Sequence, residues 1–133
     1  MNVPSLVKYI LTKKGAIKDY PFGDQPLVLK VSGKVFALVD ERGEPPSVSL
    51  KCDPVLAESL RQQYAAVIPG YHLNKMHWNT VRLDGTVPDA DLKAMVDHSY
   101  DAVVSKLKKV DREALEMRLA PYPQDDNARR NKQ

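Results

Sequence analysis

Cysteine is nearly absent. Cys52 is alone among 133 residues, so the chain has no intrachain disulfide framework and no cysteine-rich zinc pattern. Long hydrophobic runs are missing as well: nothing approaches the roughly 18 consecutive apolar residues that span a bilayer. The N-terminus has no basic region, apolar core and small-residue cleavage site, which leaves cytoplasmic residence as the expectation. Nor does one charge sign dominate. Twenty Lys and Arg against 17 Asp and Glu give a formal net charge of +3, which admits anionic partners without implying nucleic acid. There is no glycine-rich phosphate loop, because Gly33-Lys34 stands alone as a hairpin signal. No internal repeat and no long linker interrupts the chain.

What is present is the composition of one globular domain, with 43% hydrophobic and 28% charged residues. A chain of this length buries roughly two thirds of the surface its unfolded form exposes. The domain is expected over residues 1–119, with 120–133 as a flexible tail rich in Pro and polar groups.

The periodicities place the elements in order. Pro4 in a first turn and the stripe Leu6, Val7, Ile10 predict a helix over 1–14, closed by Gly15. Residues 19–26 read as a loop in which Tyr20 and Phe22 anchor against the core. Strands are expected over 27–31, 34–39 and 47–52, the last with Lys51 turned away from its apolar face. Asp53-Pro54 opens a helix whose Leu56, Leu60 and Tyr64 share one stripe. After a turn at Asp84-Gly85, Thr86 and Asp89 are spaced as a capping box. They precede a long helix carrying Leu92, Met95, Val96, Ser99, Tyr100, Val103, Val104 and Leu107 on one face. A short helix over 111–119 follows.

The stretch Pro69-Gly70-Tyr71-His72-Leu73-Asn74-Lys75-Met76-His77-Trp78-Asn79-Thr80-Val81 mixes aromatic, imidazole, amide and ammonium groups more densely than any other. If 74–83 is extended, Lys75, His77 and Asn79 share one face and Met76, Trp78 and Thr80 the other. His72 and His77 lack the four-residue helical spacing that aligns two imidazoles on a metal, so no metal site is expected. Cys52 reads as structural, since a catalytic thiol needs a base and an orienting group. His77 with Asp84 offers a base and a carboxylate, but no nucleophile or oxyanion site accompanies them, and no enzyme activity or cofactor is expected.

These residues, together with Gly33-Lys34-Val35-Phe36-Ala37-Leu38, Ser49-Leu50-Lys51-Cys52-Asp53-Pro54, Leu83-Asp84-Gly85 and Ser99-Tyr100-Asp101, resemble the MmcQ/YjbR family in family order over most of residues 1–112. The resemblance implies an α+β single domain, an antiparallel sheet packed against helices, of the kind also described as CyaY-like. It also implies a DNA-binding label that rests on structural analogy. Met76 stands where the family more often has a basic residue.

Two functions follow as expectations. The first is a nucleic-acid-binding module using Lys51, His72, Asn74, Lys75, His77 and Asn79. In it Lys75 neutralises phosphate, the amides reach phosphate or base edges, and Trp78 stacks a base if exposed. The alternative is a protein or small-ligand binding module, with Tyr71, Trp78 and His77 lining a cleft. A purely structural role for the same motif competes with both. The sequence assigns no oligomeric state.

Overall fold

The computed structural model describes residues 1–70 and 73–117. His72, Tyr71 and the tail expected over 120–133 lie outside the described residues. Six strands, β1 (Ala16–Asp19), β2 (Leu27–Val31), β3 (Lys34–Asp40), β4 (Ser47–Lys51), β5 (Val67–Pro69) and β6 (Trp78–Arg82), form one antiparallel sheet in the order β1-β2-β3-β4-β6-β5. The helices are α1 (Val3–Ile10), α2 (Pro54–Gln63), α3 (Asp89–Val104) and α4 (Lys109–Met117). The α+β class expected from the resemblance is what the chain adopts.

One face of the sheet carries the core. Leu27, Leu29, Val31, Phe36, Ala37, Val39, Val48, Leu50 and Val81 meet Leu6 and Ile10 of α1 and Leu92, Met95, Val96 and Val103 of α3. The opposite face presents the row Val28, Leu38, Ser49, Thr80 and Ile68, each the register partner of the next. The long helix lies over β2, β3 and β4, whereas α2 lies over β5 and β6. Two helices seated over different strands leave a seam above β4 and β6.

Local chemistry accounts for the bounds. Asn2 caps α1 by accepting the Ser5 amide, and Pro4 occupies its first turn. The helix stops at Ile10 rather than at residue 14. Tight turns take over, with Thr12 and Lys13 amides on the Tyr9 and Ile10 carbonyls, and Gly15 adopts φ 77°. The turn swings Lys13 onto Asp97 at 2.5 Å, and the Tyr9 hydroxyl donates to the same carboxylate at 2.6 Å. Burial works against ionisation of Asp97, but these two hydrogen bonds and the Lys13 charge outweigh it and hold the carboxyl below its ordinary range. Asp53 caps α2 through the Val55 and Leu56 amides, as its sequence predicts.

Several expectations fail for physical reasons. Thr86 and Asp89 make no capping box: the Thr86 amide and hydroxyl both donate to Asp84, and Asp89 meets the N-terminal ammonium at 2.9 Å. Tyr20 and Phe22 do not anchor their loop, for Phe22 is 74% exposed. The expected strand over 74–83 begins only at Trp78. The Asn74 side chain accepts the Met76 amide and its carbonyl accepts the His77 amide, so residues 74–77 are a turn.

Candidate functional site

The seam between α2 and α3 is a cleft of about 230 Å³. Leu50 and Asn79, register partners on β4 and β6, form its floor with Val81. The stripe Leu56, Leu60, Tyr64 forms one wall, and Leu60 and Tyr64 also pack against the edge of the core. Asp91, Ala94, Met95 and His98 form the other wall.

A hydrogen bond clamps the two helices at each end of this cleft. At one end the Tyr64 hydroxyl donates to the Asp91 carboxylate. That bond, then burial and the carboxylate's charge, raise the phenol's pKa above its ordinary value. At the other end the Asp53 amide donates to His98 Nε2 at 3.1 Å, which assigns the ring proton to Nδ1. At 1.5 Å per helical residue, Asp91 and His98 stand about 10 Å apart along α3. Apolar walls separated by two polar ends can orient a small guest.

Cys52 lines the His98 end, 5% exposed, with its amide on the His77 carbonyl at 2.8 Å. Burial first and the Asp53 charge second raise its thiol pKa to about 11, against the opposing pull of Arg61. At pH 8 about one thiol in a thousand is then ionised, so native Cys52 should alkylate about a hundredfold more slowly than an unperturbed cysteine. Iodoacetamide labelling of folded and urea-unfolded protein, followed by mass spectrometry, measures that ratio; equal rates would contradict the buried, protonated thiol. Among the described residues, no three His, Cys, Asp or Glu gather as a metal site.

The residues singled out in the central motif do not converge on one face. Asn79 is 3% exposed, donating to the Ala57 carbonyl at 3.2 Å and accepting from Arg61 at 3.1 Å. Lys75 is exposed, with its ammonium on the Gly70 carbonyl at 3.3 Å and its own carbonyl held by Arg61. Asn74 closes its turn, while His77 and Trp78 are half-buried. Lys51 is half-buried and belongs to the lining of the cleft, and it is its backbone amide that reaches α3, donating to Ser99. The cleft walls themselves were visible only in part. The stripe on α2 was legible, but nothing local says that Ala94 and His98 stand across a cleft from it.

Gly70 explains the start of the motif. Its amide donates to the Trp78 carbonyl at 2.8 Å, and an added Cβ would lie 2.7 Å from Trp78 Cβ and 3.0 Å from that carbonyl oxygen. Gly70→Ala must therefore push β6 away from the end of β5 and should cost at least about 1 kcal/mol. Urea denaturation would show it as a lowered midpoint at unchanged slope.

Comparison with known proteins matches residues 11–102 to the YjbR family. The YjbR protein of Escherichia coli K12 is 42% identical over 115 residues, covering 86% of this chain and 98% of its own length. The YyaQ protein of Bacillus subtilis is 27% identical over 110 residues, covering 71% of this chain and 92% of its own. The crystal structure of a Deinococcus radiodurans protein with a DUF419 domain superposes with a TM-score of 0.81 at 39% identity, covering 86% of this chain and 88% of that one. A Pseudomonas syringae protein superposes with a TM-score of 0.67 at 28% identity, covering 77% and 98%.

Proposed function

The chain belongs to the YjbR family, and from the cleft that its α2 and α3 enclose we propose that it is a binding module for a small, largely apolar molecule, with no reaction assigned to it. The carrying observation is the concavity between the two helices, with apolar side chains on both walls and polar groups at its ends and floor, the usual anatomy of a ligand site. At about 230 Å³ it is smaller than the roughly 300–1,000 Å³ typical of such sites, so the guest is a single ring or a short chain. Tyr64 and Asp91, bonded to each other at one end, and His98, which accepts the Asp53 amide at the other, are the polar groups that bound the cleft.

This reading takes up the small-ligand alternative rather than the nucleic-acid one, but at a different place: Trp78 and His77, expected to line a cleft with Tyr71, are not in the lining of this one. Asn79, counted on for base or phosphate contact, spends both ends of its amide inside the protein, and the Lys75 ammonium is engaged by a backbone carbonyl. Lys51 and His77 keep some exposure, so a nucleic-acid contact remains an outcome that the experiments can return. The direct test is an NMR titration with n-octanol and indole, following the amides of Leu56, Leu60, Ala94 and Met95. Saturable shifts are expected, and Ala94→Phe, which fills the cleft from α3, should abolish them while keeping the melting temperature. Shifts that neither saturate nor respond to Ala94→Phe would overturn the proposal.

A further inference from the structure

A second depression of about 370 Å³ shares Lys51 with the cleft and is lined by Lys34 and Val35 at the start of β3, Lys51 at the end of β4, Val103 of α3, and Lys106 and Leu107 just after it. Lys51 lines both concavities, and α3 runs along both, from Asp91 and His98 in the first to Val103 in the second. The junction is fixed: the Lys51 amide donates to Ser99 Oγ, one residue from His98.

Three lysines line this depression, and no acidic residue is part of its lining. Among the described residues, the ion pairs engage Lys13, Lys30, Arg42, Lys109 and the N-terminal ammonium, and none engages Lys34, Lys51 or Lys106. The nearest acid in sequence, Asp53, keeps its charge but is turned to α2, where one carboxylate oxygen accepts the Val55 and Leu56 amides. Like charges around one hollow repel one another, and an anion placed among them relieves that repulsion. The far end of the cleft has the opposite character, because Asp91 stands there.

Taking the cleft reading as its premise, we infer that the ligand is an amphiphilic anion, whose apolar body fills the cleft between α2 and α3 and whose phosphate or carboxylate group lies among Lys34, Lys51 and Lys106. The polarity of the two ends fixes its direction: the anionic head sits beyond His98 and the tail points toward Tyr64 and Asp91. A neutral molecule of the same body would use only the first concavity.

Octyl phosphate, kept below its aggregation concentration, and n-octanol are the matched probes, titrated into the intact protein by NMR at low and high salt. Octyl phosphate should bind at least about tenfold more tightly than octanol at low salt, and the advantage should shrink as salt screens the lysines. In Lys34→Ala/Lys106→Ala, which leaves the lining of the first concavity intact, the advantage of octyl phosphate should fall severalfold with octanol unaffected; Ala94→Phe should abolish both. Equal affinities in the unaltered protein would overturn the anionic inference and leave the cleft reading intact. Failure of octanol as well as octyl phosphate would remove the cleft reading and with it this inference. Inorganic phosphate or a short single-stranded DNA binding through the three lysines, unaffected by Ala94→Phe while octyl phosphate shows no advantage, would overturn it in favour of a separate polyanion site. Sedimentation with phosphatidylcholine vesicles, with and without phosphatidylglycerol, tells a lipid source of the anion from a dissolved one.

Discussion

Replacing Ser99 with alanine is expected to destabilise the domain by about 2–4 kcal/mol, because it strands two backbone groups that no strand can pair. The cause lies in β3. Leu29 of β2 pairs with Ala37, but Lys30 pairs with Val35, so Phe36 is an extra residue in the ladder. On the other side of β3, pairing with β4 ends at Ala37 and Leu50. The Phe36 carbonyl and the Lys51 amide are thus left without each other. Ser99, 0% exposed on α3, serves both: its hydroxyl donates to the Phe36 carbonyl at 2.6 Å and accepts the Lys51 amide at 2.9 Å. Alanine removes a small polar atom, leaves little cavity, and keeps helix propensity, so the loss reports the two bonds rather than packing. Urea denaturation should show a lowered midpoint with unchanged slope, and amide exchange at Lys51 should accelerate more than at Leu29. A shift under about 0.5 kcal/mol would mean that water or a shifted strand satisfies both groups.

Ser99 also shows what the sequence could and could not reveal. Its place on the buried face of α3 is plain from the helical period, and a local hydrogen-bonding role is a reasonable reading of a serine there. That its partners are Phe36 and Lys51, 63 and 48 residues away, depends on a bulge that no local pattern announces. The same division holds elsewhere. Strands β2, β3 and β4 and the Asp53-Pro54 opening of α2 were legible because alternation and capping are local. Strand β1 was not: Ile17 on this edge strand is 58% exposed, and four residues give too little alternation to read. The cleft was half legible. Leu56, Leu60 and Tyr64 form a clear stripe, but a stripe specifies only that something apolar lies opposite. Whether that is the sheet or another helix is decided by where α3 seats itself. The central motif misled for the opposite reason. Its polar groups suggested one outward surface: Asn74 and Lys75 are exposed as that requires, whereas Asn79 is buried and spends its amide on α2.

Asn79→Ala should cost about 2–3 kcal/mol, with Arg61 as the residue through which much of that loss is felt. Asn79 enters the sheet beside Leu50 and points into the space under α2, where its amide donates to the Ala57 carbonyl and its carbonyl accepts from Arg61. The same guanidinium group donates to the Lys75 carbonyl, so one cation ties the turn before β6, the strand and the helix together. Hydrogen bonds to charged groups contribute roughly 1.5–3 kcal/mol, and Asn79 has one of these and one neutral bond. A double-mutant cycle of Asn79→Ala and Arg61→Ala should therefore return a coupling of about 1–2 kcal/mol. Asn79→Asp separates the two bonds, because a carboxylate still accepts from Arg61 but cannot donate to the Ala57 carbonyl. Its loss should fall between those of the unaltered protein and the alanine variant. An asparagine kept for contact with nucleic acid predicts otherwise: Asn79→Ala would then retain stability within about 0.5 kcal/mol, show no coupling to Arg61, and lose only ligand. The brace also bears on the cleft, since Asn79 is its floor and α2 its wall. Octanol affinity should fall in Asn79→Ala and recover partly in Asn79→Asp, following the stability series.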